Sequence, residues 1–295
     1  MFPNKFDYIA PTTVADALNL LQKSGDNARL LAGGQSLIPM MKLRFLAPEY
    51  VIDLRYLREL RGIEEMGEQI RCGAMVKHSE IERSQVIAHR IPLLREAGAD
   101  IADVQVRNRG TLGGALCQAD PAGDWAVTAL ALSAQMRCVN QEGYRMISAD
   151  EFFLDTYTTA LKPDEILVDV FFPVPLEDSD GVYVKIRKRS GDFAIASVAL
   201  QITRDGNGRC TKVGIGLGGV APTAISPKPI IEFLLGKELS SAVIKGACGM
   251  LRECLDPIDD LRGSVEYKCS VAEVALERAF NRILTKVGHH TDERP

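Results

Sequence analysis

Two corners of one kind constrain this chain more than any other feature. Leu30-Leu31-Ala32-Gly33-Gly34-Gln35-Ser36-Leu37-Ile38-Pro39 carries a short apolar strand into paired glycines and then into a helix start. About 80 residues later, Arg109-Gly110-Thr111-Leu112-Gly113-Gly114-Ala115 repeats the device and leads, through Gln118 and Ala119-Asp120-Pro121-Ala122-Gly123, to Asp124 and Trp125. Glycine lets the backbone approach a neighbour with no Cβ in the way. A strand-to-helix corner also turns several backbone N–H groups outward, where hydrogen bonds and the helix dipole favour an anion. Ser36 either bonds such an anion or caps its helix, and the cap is the simpler use of a lone serine. Pro39 falls in the first turn, where its missing N–H does no harm. Thr111 offers a hydroxyl at the second corner. Asp124 precedes an apolar helix, either as its N-cap or as an acceptor for the hydroxyls of a nucleotide's ribose. Neither corner reads G-x-G-x-x-G or G-x-x-x-x-G-K-[ST], which argues against an ordinary Rossmann domain or a P-loop. Two of them together suit the diphosphate of a dinucleotide.

The rest of the chain alternates strand and helix signals. Val14, Ala17, Leu18 and Leu21 form one apolar helix face, with Thr13 as cap and Gly25 as stop. Short strands follow at 29–32 and 50–54, and hairpins around Met66-Gly67 and Glu142-Gly143. Leu93, Leu94, Ala97 and Ile101 mark a helix, and residues 125–134 another. Pro173, Pro175, Glu177, Asp178 and Asp180 mark a boundary. Beyond it Val182, Val184 and Ile186 alternate with polar residues, and two strands are joined by Asp205-Gly206-Asn207-Gly208, a strong hairpin turn. A last helix opens on a Ser270/Glu273 capping box and lines one face with Leu276, Phe280, Ile283, Leu284 and Val287. The predicted class is α+β with two domains, 1–175 (sub-domains 1–57 and 58–175) and 176–288, ending in a flexible tail at 289–295. With 46% hydrophobic and 25% charged residues the chain is globular, and with 35 basic against 39 acidic residues it has no field to grip nucleic acid. No apolar run approaches the ~20 residues that span a bilayer, and residues 1–8 hold no secretory apolar region, so a cytoplasmic protein is expected. The seven cysteines include no C-x-x-C and the four histidines no H-x-x-x-H, so no metal is expected in this chain.

Ala32-Gly33-Gly34-Gln35-Ser36-Leu37-Ile38-Pro39-Met40-Met41-Lys42-Leu43-Arg44 resembles the FAD-binding signature of the molybdenum hydroxylase medium subunits. These are the flavoprotein subunits of carbon monoxide dehydrogenase-type and N-heteroaromatic (xanthine, nicotine, quinoline) hydroxylases. Thr111-Leu112-Gly113-Gly114 with Ala119-Asp120-Pro121-Ala122-Gly123-Asp124 is similar to their second signature, and residues 183–198 with the strands up to Pro222 resemble their C-terminal domain. The resemblance implies a two-part FAD domain of the vanillyl-alcohol oxidase/p-cresol methylhydroxylase type, then a three-stranded sheet with helices of the carbon monoxide dehydrogenase flavoprotein C-terminal type. It implies that Ala32, Gly33, Gly34, Gln35 and Ser36 hold the pyrophosphate, with Leu37 next to them among the cofactor-binding residues. Ala102, Thr111, Gly113, Gly114, Ala115, Gln118 and Asp124 would continue the cofactor contacts, with Leu161, Lys185 and Phe193 near the isoalloxazine ring. Ala115 stands where relatives usually carry Asn, Ser or Asp. One side-chain hydrogen bond, worth ~1 kcal/mol net, is thereby lost, although the backbone N–H can remain. Without the resemblance, Lys185 reads as a solvated strand edge, Phe193 as core, Met40 and Met41 as packing and Trp125 as a core anchor.

The same resemblance implies a division of labour. A large molybdopterin subunit would hydroxylate the substrate, a small partner would pass electrons through [2Fe–2S] clusters, and FAD in this chain would deliver them to a terminal acceptor, in a dimer of heterotrimers. No catalytic residue is expected here. A self-sufficient FAD oxidase of the vanillyl-alcohol type is the alternative, although no histidine, tyrosine or cysteine stands out as a flavin attachment point. A scaffold with a vestigial nucleotide site is a third reading.

Overall fold

The structure is a computed structural model that describes residues 2–291, the side chains of 287–291 excepted. The chain opens with β1 (Asp7–Ile9), α1 (Val14–Ser24), β2 (Ala28–Leu31), α2 (Leu37–Lys42) and β3 (Tyr50–Asp53). The three strands form a parallel sheet in the order β1-β3-β2. α1 forms as its caps predict. Thr13 Oγ1 accepts from the Asp16 N–H at 3.1 Å, and Gly25 ends the helix at φ +50°. Its buried face, Ala17, Leu18 and Leu21, packs with Ile52, Leu54, Leu57 and Leu60.

The second unit begins with the hairpin β4 (Ile63–Met66) and β5 (Gln69–Gly73), turned at Gly67 with φ +65°. Six short helices follow: α3 (His78–Arg83), α4 (Gln85–Arg90), α5 (Pro92–Ala99), α6 (Val104–Arg107), α7 (Leu112–Gln118) and α8 (Asp124–Ala131). The chain returns through β6 (Gln135–Asn140), β7 (Gly143–Ser148), α9 (Ala149–Phe152), the paired β8 (Phe153–Asp155) and β9 (Thr158–Thr159), and β10 (Ile166–Pro173). The main sheet is antiparallel in the order β4-β5-β10-β6-β7. Its central strand, β10, is not among the strands predicted above. Ile166 to Phe172 are all buried, so the strand has no alternation to betray it. Asp169, fully buried within it, is paired with Arg71 at 2.7 Å and with Arg137, as a charge inside an apolar strand requires.

The third unit is the antiparallel sheet β11 (Ser179–Ile186), β12 (Ala196–Arg204) and β13 (Cys210–Gly218), covered by α10 (Lys228–Leu234), α11 (Ser241–Gly249) and α12 (Val265–Thr291). Asp205 Oδ1 accepts from the N–H groups of Asn207 and Arg209, both at 2.9 Å, and makes the predicted hairpin turn. α12 starts earlier than its predicted capping box. Ser264 Oγ accepts from the Tyr267 N–H at 3.3 Å, Ser270 donates to the Glu266 carbonyl at 3.0 Å within the helix, and Glu273 pairs with Arg252 at 2.5 Å. Leu276, Phe280 and Ile283 are buried and Leu284 half-buried, and the side chain of Val287 lies outside the described residues. α12 takes in the first residues of the tail expected at 289–295, and 292–295 lie outside the described residues.

Glycines join the second and third units. A Cβ at Gly214 or Gly216 of β13 would be driven into the carbonyl oxygen of Ala131 or Val127, so α8 lies backbone-close on the sheet. The Gly219 N–H donates to the Pro121 carbonyl at 2.8 Å. The start of α8, with Asp124, is thereby fixed against the C-terminal sheet.

Candidate functional site

The two glycine corners touch. A Cβ at Gly33 would be driven into the Arg109 carbonyl oxygen and would lie 2.6 Å from the Gly110 Cα, and one at Gly114 would lie 3.3 Å from the Ala32 Cβ. At the first corner, among the described residues, no protein acceptor engages the backbone N–H groups of Gly33, Gly34, Gln35, Ser36 and Leu37. The Gln35 side chain folds back onto the Gly33 carbonyl at 3.1 Å. Ser36 does not cap α2. Its backbone is helical (φ −109°, ψ −52°) rather than extended, and its hydroxyl makes no bond to the helix, so the simpler reading of this serine is corrected. The second corner is closed by comparison. The N–H groups of Leu112 and Gly113 donate to Val76 and Ala74, Gly114 donates to Thr111 Oγ1 at 3.2 Å, and Ala115 donates to the Thr111 carbonyl at 3.0 Å. The Ala115 N–H that the sequence left available is therefore spent inside α7.

A second cluster lies where α5, α8 and β11 meet. The N-cap position of α8 belongs to Gly123, and Asp124 is the first helical residue, so the N-cap expectation for Asp124 is also corrected. Its buried carboxylate accepts from the Tyr183 hydroxyl at 2.5 Å and from Lys185 Nζ at 2.9 Å. Lys185 Nζ further donates to the Asp100 carbonyl at 3.1 Å. β11 is an edge strand, yet the Lys185 side chain is only 1% exposed, because α5 and α8 cover the face it shares with Tyr183. Burial raises the Asp124 carboxyl above its ordinary range, and the Lys185 ammonium and Tyr183 hydroxyl oppose that rise. Ala102 sits two residues beyond Asp100 in a left-handed conformation, φ +42°. Arg107 Nη1 donates to the Ile101 and Ala102 carbonyls at 3.0 and 3.4 Å and holds this turn.

Residues 4–175 match the family described as the FAD binding domain in molybdopterin dehydrogenase, and residues 181–283 match the CO dehydrogenase flavoprotein C-terminal domain. The chain belongs to the FAD-binding medium subunits of the molybdenum hydroxylases. The carbon monoxide dehydrogenase medium chain of Hydrogenophaga pseudoflava is 39% identical over 95% of this chain and 98% of its own. The glyceraldehyde dehydrogenase medium chain of Sulfolobus acidocaldarius is 35% identical over 96% and 100%. A solved carbon monoxide dehydrogenase from H. pseudoflava, lacking the Mo-pyranopterin moiety, aligns with TM-score 0.93 at 39% identity, covering 95% of this chain and 98% of that one.

The residues of this medium subunit fit the cofactor of its family at the first corner. Five free N–H donors and a glycine whose Cβ position is already occupied form a cradle for a diphosphate. The structure thus gathers Ala32, Gly33, Gly34, Gln35, Ser36 and Leu37 with Thr111, Gly113, Gly114 and Ala115, and separately Ala102 with Asp124 and Lys185. Half-buried Gln118 ends α7, the short helix that runs from the second corner towards Asp124. Leu161, half-buried, packs on the core of the second unit. Phe193 is 47% exposed, so it is not a core residue. Its turn reaches the second cluster, Gly191 lying beside Ala102. Met41 and Trp125 are buried as packing residues.

Sequence reasoning missed Arg107, whose bonds to residues 101 and 102 follow no motif, and Tyr183, Asp100 and His78, which act through partners distant in the chain. Only the alternation Val182-Tyr183-Val184-Lys185 hinted that Tyr183 and Lys185 share a face. His78 buttresses the second corner. Its N–H donates to the Gly110 carbonyl at 3.1 Å, its ring fills the place of a Gly110 Cβ, and its Nδ1 accepts from Trp125 Nε1 at 2.9 Å. Burial foremost, then Arg107, pushes its imidazolium pKa down to about 4 from 6.5. The unfolded chain therefore takes up a proton that the native state refuses. The stability held above pH 6.5 is lost as pH falls towards 4, by about 3 kcal/mol in all. Urea titrations should show that loss in the native sequence and a much smaller one in His78→Gln. Equal losses in both would remove His78 from the account.

Proposed function

We propose that this chain binds one FAD across the two corners and relays electrons from the [2Fe–2S] clusters of a small partner subunit to an external acceptor. Substrate oxidation is left to molybdenum in a large partner. The observation that carries the reading is the run of five unpartnered N–H groups from Gly33 to Leu37 pressed against the second corner. FAD supplies the capacity to exchange electrons singly or in pairs. Residues 32–37 bind its diphosphate through backbone N–H groups, and the Ser36 hydroxyl, which caps no helix, is free to join them. Thr111, Gly113, Gly114, Ala115 and Gln118 wall the groove, with the Thr111 hydroxyl holding the shape of its corner. Asp124 and Tyr183 fix the Lys185 ammonium, which favours negative charge on the ring side of the site. Ala102, Leu161 and Phe193 bound the ring. The ribose role read for Asp124 requires a hydroxyl to share a carboxylate that Tyr183 and Lys185 already engage.

Membership of the family supports the partner reading: an iron–sulfur subunit, a molybdopterin subunit, and a dimer of such heterotrimers working in the cytoplasm. Among the described residues no helix is long and apolar enough to cross a membrane. Medium chains of enzymes named for carbon monoxide and for glyceraldehyde match at 39% and 35% identity, so similarity of this chain does not select a substrate, which binds elsewhere in the complex. The self-sufficient oxidase is not favoured, because the similar chains are medium subunits along their whole length. Purification of the complex should yield protein with a flavin band near ~450 nm that dithionite bleaches. A band-free preparation would favour the scaffold reading, and steady oxidation of small alcohols by the isolated chain would favour the oxidase.

A further inference from the structure

The turn that carries Phe193 is tied to a segment of the C-terminal domain that the flavin reading does not use. The Phe193 ring is 47% exposed, so the core does not hold it. The Arg262 guanidinium lies over the Phe193 ring, 5.5 Å from its centroid, within cation–π range. Arg262 is itself fixed. Its N–H donates to Asp260 Oδ1 at 2.7 Å, and its Nη1 lies 3.3 Å from Asp260 Oδ2. Asp260 pairs with Lys268 at 2.9 Å, and buried Lys268 also donates to the Ile258 carbonyl at 2.7 Å. A second tie runs the other way, from Lys188 Nζ to the Leu261 carbonyl at 2.6 Å. Residues 188–193 and 258–263 are thus pinned together at two points around a cavity of about 250 Å³, lined by Lys188, Gly191, Asp192, Phe193, Ile195 and Arg262. Towards the FAD domain, a Cβ at Gly191 would lie 3.8 Å from the carbonyl atoms of Ala102, and Arg187, just before the turn, pairs with Asp100 at 2.5 Å.

We infer that Arg262 is a positioning residue that holds Phe193 as a shield over the mouth of this cavity, and that the Arg262–Phe193 and Lys188–Leu261 ties together set how far solvent and small soluble electron acceptors reach the flavin ring. The inference rests on the proposed place of Phe193 beside that ring. The arrangement suits a gate. A cation–π contact at an exposed site is weak, so its loss raises the open population only about two- to fivefold without unfolding the turn. The strap segment is anchored through Lys268 on α12, and the turn opposite it carries Gly191 at φ +89°.

The test compares the native complex with Arg262→Met, Arg262→Lys and, as a control, Arg252→Met, whose arginine pairs with Glu273 and touches neither loop. Three quantities are read on each sample: flavin content by absorbance, amide hydrogen exchange of the 188–193 segment, and quenching of flavin fluorescence by iodide. Arg262→Met is expected to speed exchange at 188–193 and raise the iodide quenching constant about two- to fivefold, with flavin content unchanged. Arg262→Lys, which keeps a cation over the ring, should recover most of both effects, and Arg252→Met should alter neither. Unchanged exchange in Arg262→Met overturns the tie. Faster exchange with unchanged quenching overturns the shield. Native complex without flavin would remove the premise about the ring, and the exchange data would still report separately on the tie.

Discussion

Gly33→Val is expected to abolish flavin retention while the three sheets still form. The new Cβ would meet the Arg109 carbonyl oxygen and the Gly110 Cα, the latter at 2.6 Å. Both are backbone atoms, so no rotamer change relieves the clash, and the two corners must part. Parting them scatters the N–H groups that converge on the diphosphate. Each hydrogen bond to a charged group contributes about 1.5–3 kcal/mol, so losing two lowers affinity by roughly a hundredfold or more. Gly34→Ala is the graded comparison. Gly34 has φ +74°, which costs an alanine about 1 kcal/mol, but the nearest obstacle is the Ile38 Cδ1 atom at 2.7 Å, the end of a side chain that can turn away. The ratio of ~450 nm to protein absorbance should therefore fall far more for Gly33→Val than for Gly34→Ala. Full flavin content in the valine variant would sink the assignment of the first corner to the diphosphate.

What was legible in the sequence was local. Thr13 and Gly25 bound α1, the Asp205-Gly206-Asn207-Gly208 turn joins β12 to β13, and the first corner exposes its N–H groups, because each needs only residues within one or two turns of chain. Burial on both faces hid β10, since a strand covered twice loses its period of two. Ser270 and Glu273 satisfy a capping pattern in mid-helix, because the pattern says nothing of the turns before it. The site shows the same limit. Asp124 and Tyr183, or His78 and Trp125, meet across 59 and 47 residues, and no spacing rule reaches that far. Lys185 reads as solvated from its alternating strand, but α5 and α8 supply a second layer over the face that alternation assigns to water.

Lys185→Met is expected to cost about 3–5 kcal/mol at pH 8 and clearly less at pH 5. The substitution removes the ammonium that Asp124 faces at 2.9 Å and leaves its carboxylate, 6% exposed, with the Tyr183 hydroxyl as its remaining side-chain partner. Burial already raises the Asp124 carboxyl, and Lys185 is the largest influence opposing that rise. Without it the native state keeps a proton that the unfolded chain releases near pH 3.9, so stability declines as pH climbs from there through the raised folded value. Combining Lys185→Met with Asp124→Asn removes both charges and leaves a neutral acceptor for Tyr183, so the double variant should regain most of the loss, and the pH dependence of its cost relative to the native chain should vanish. A double-mutant cycle from urea unfolding would then give a coupling of about 2 kcal/mol or more. Additive, pH-independent costs would mean that the two charges do not depend on each other, and the buried pair would cease to explain why a lysine occupies this strand. If the stable double variant nonetheless loses its flavin, the pair serves the cofactor beyond its service to the fold, because packing and charge balance have been restored and only the ammonium and its carboxylate partner are missing.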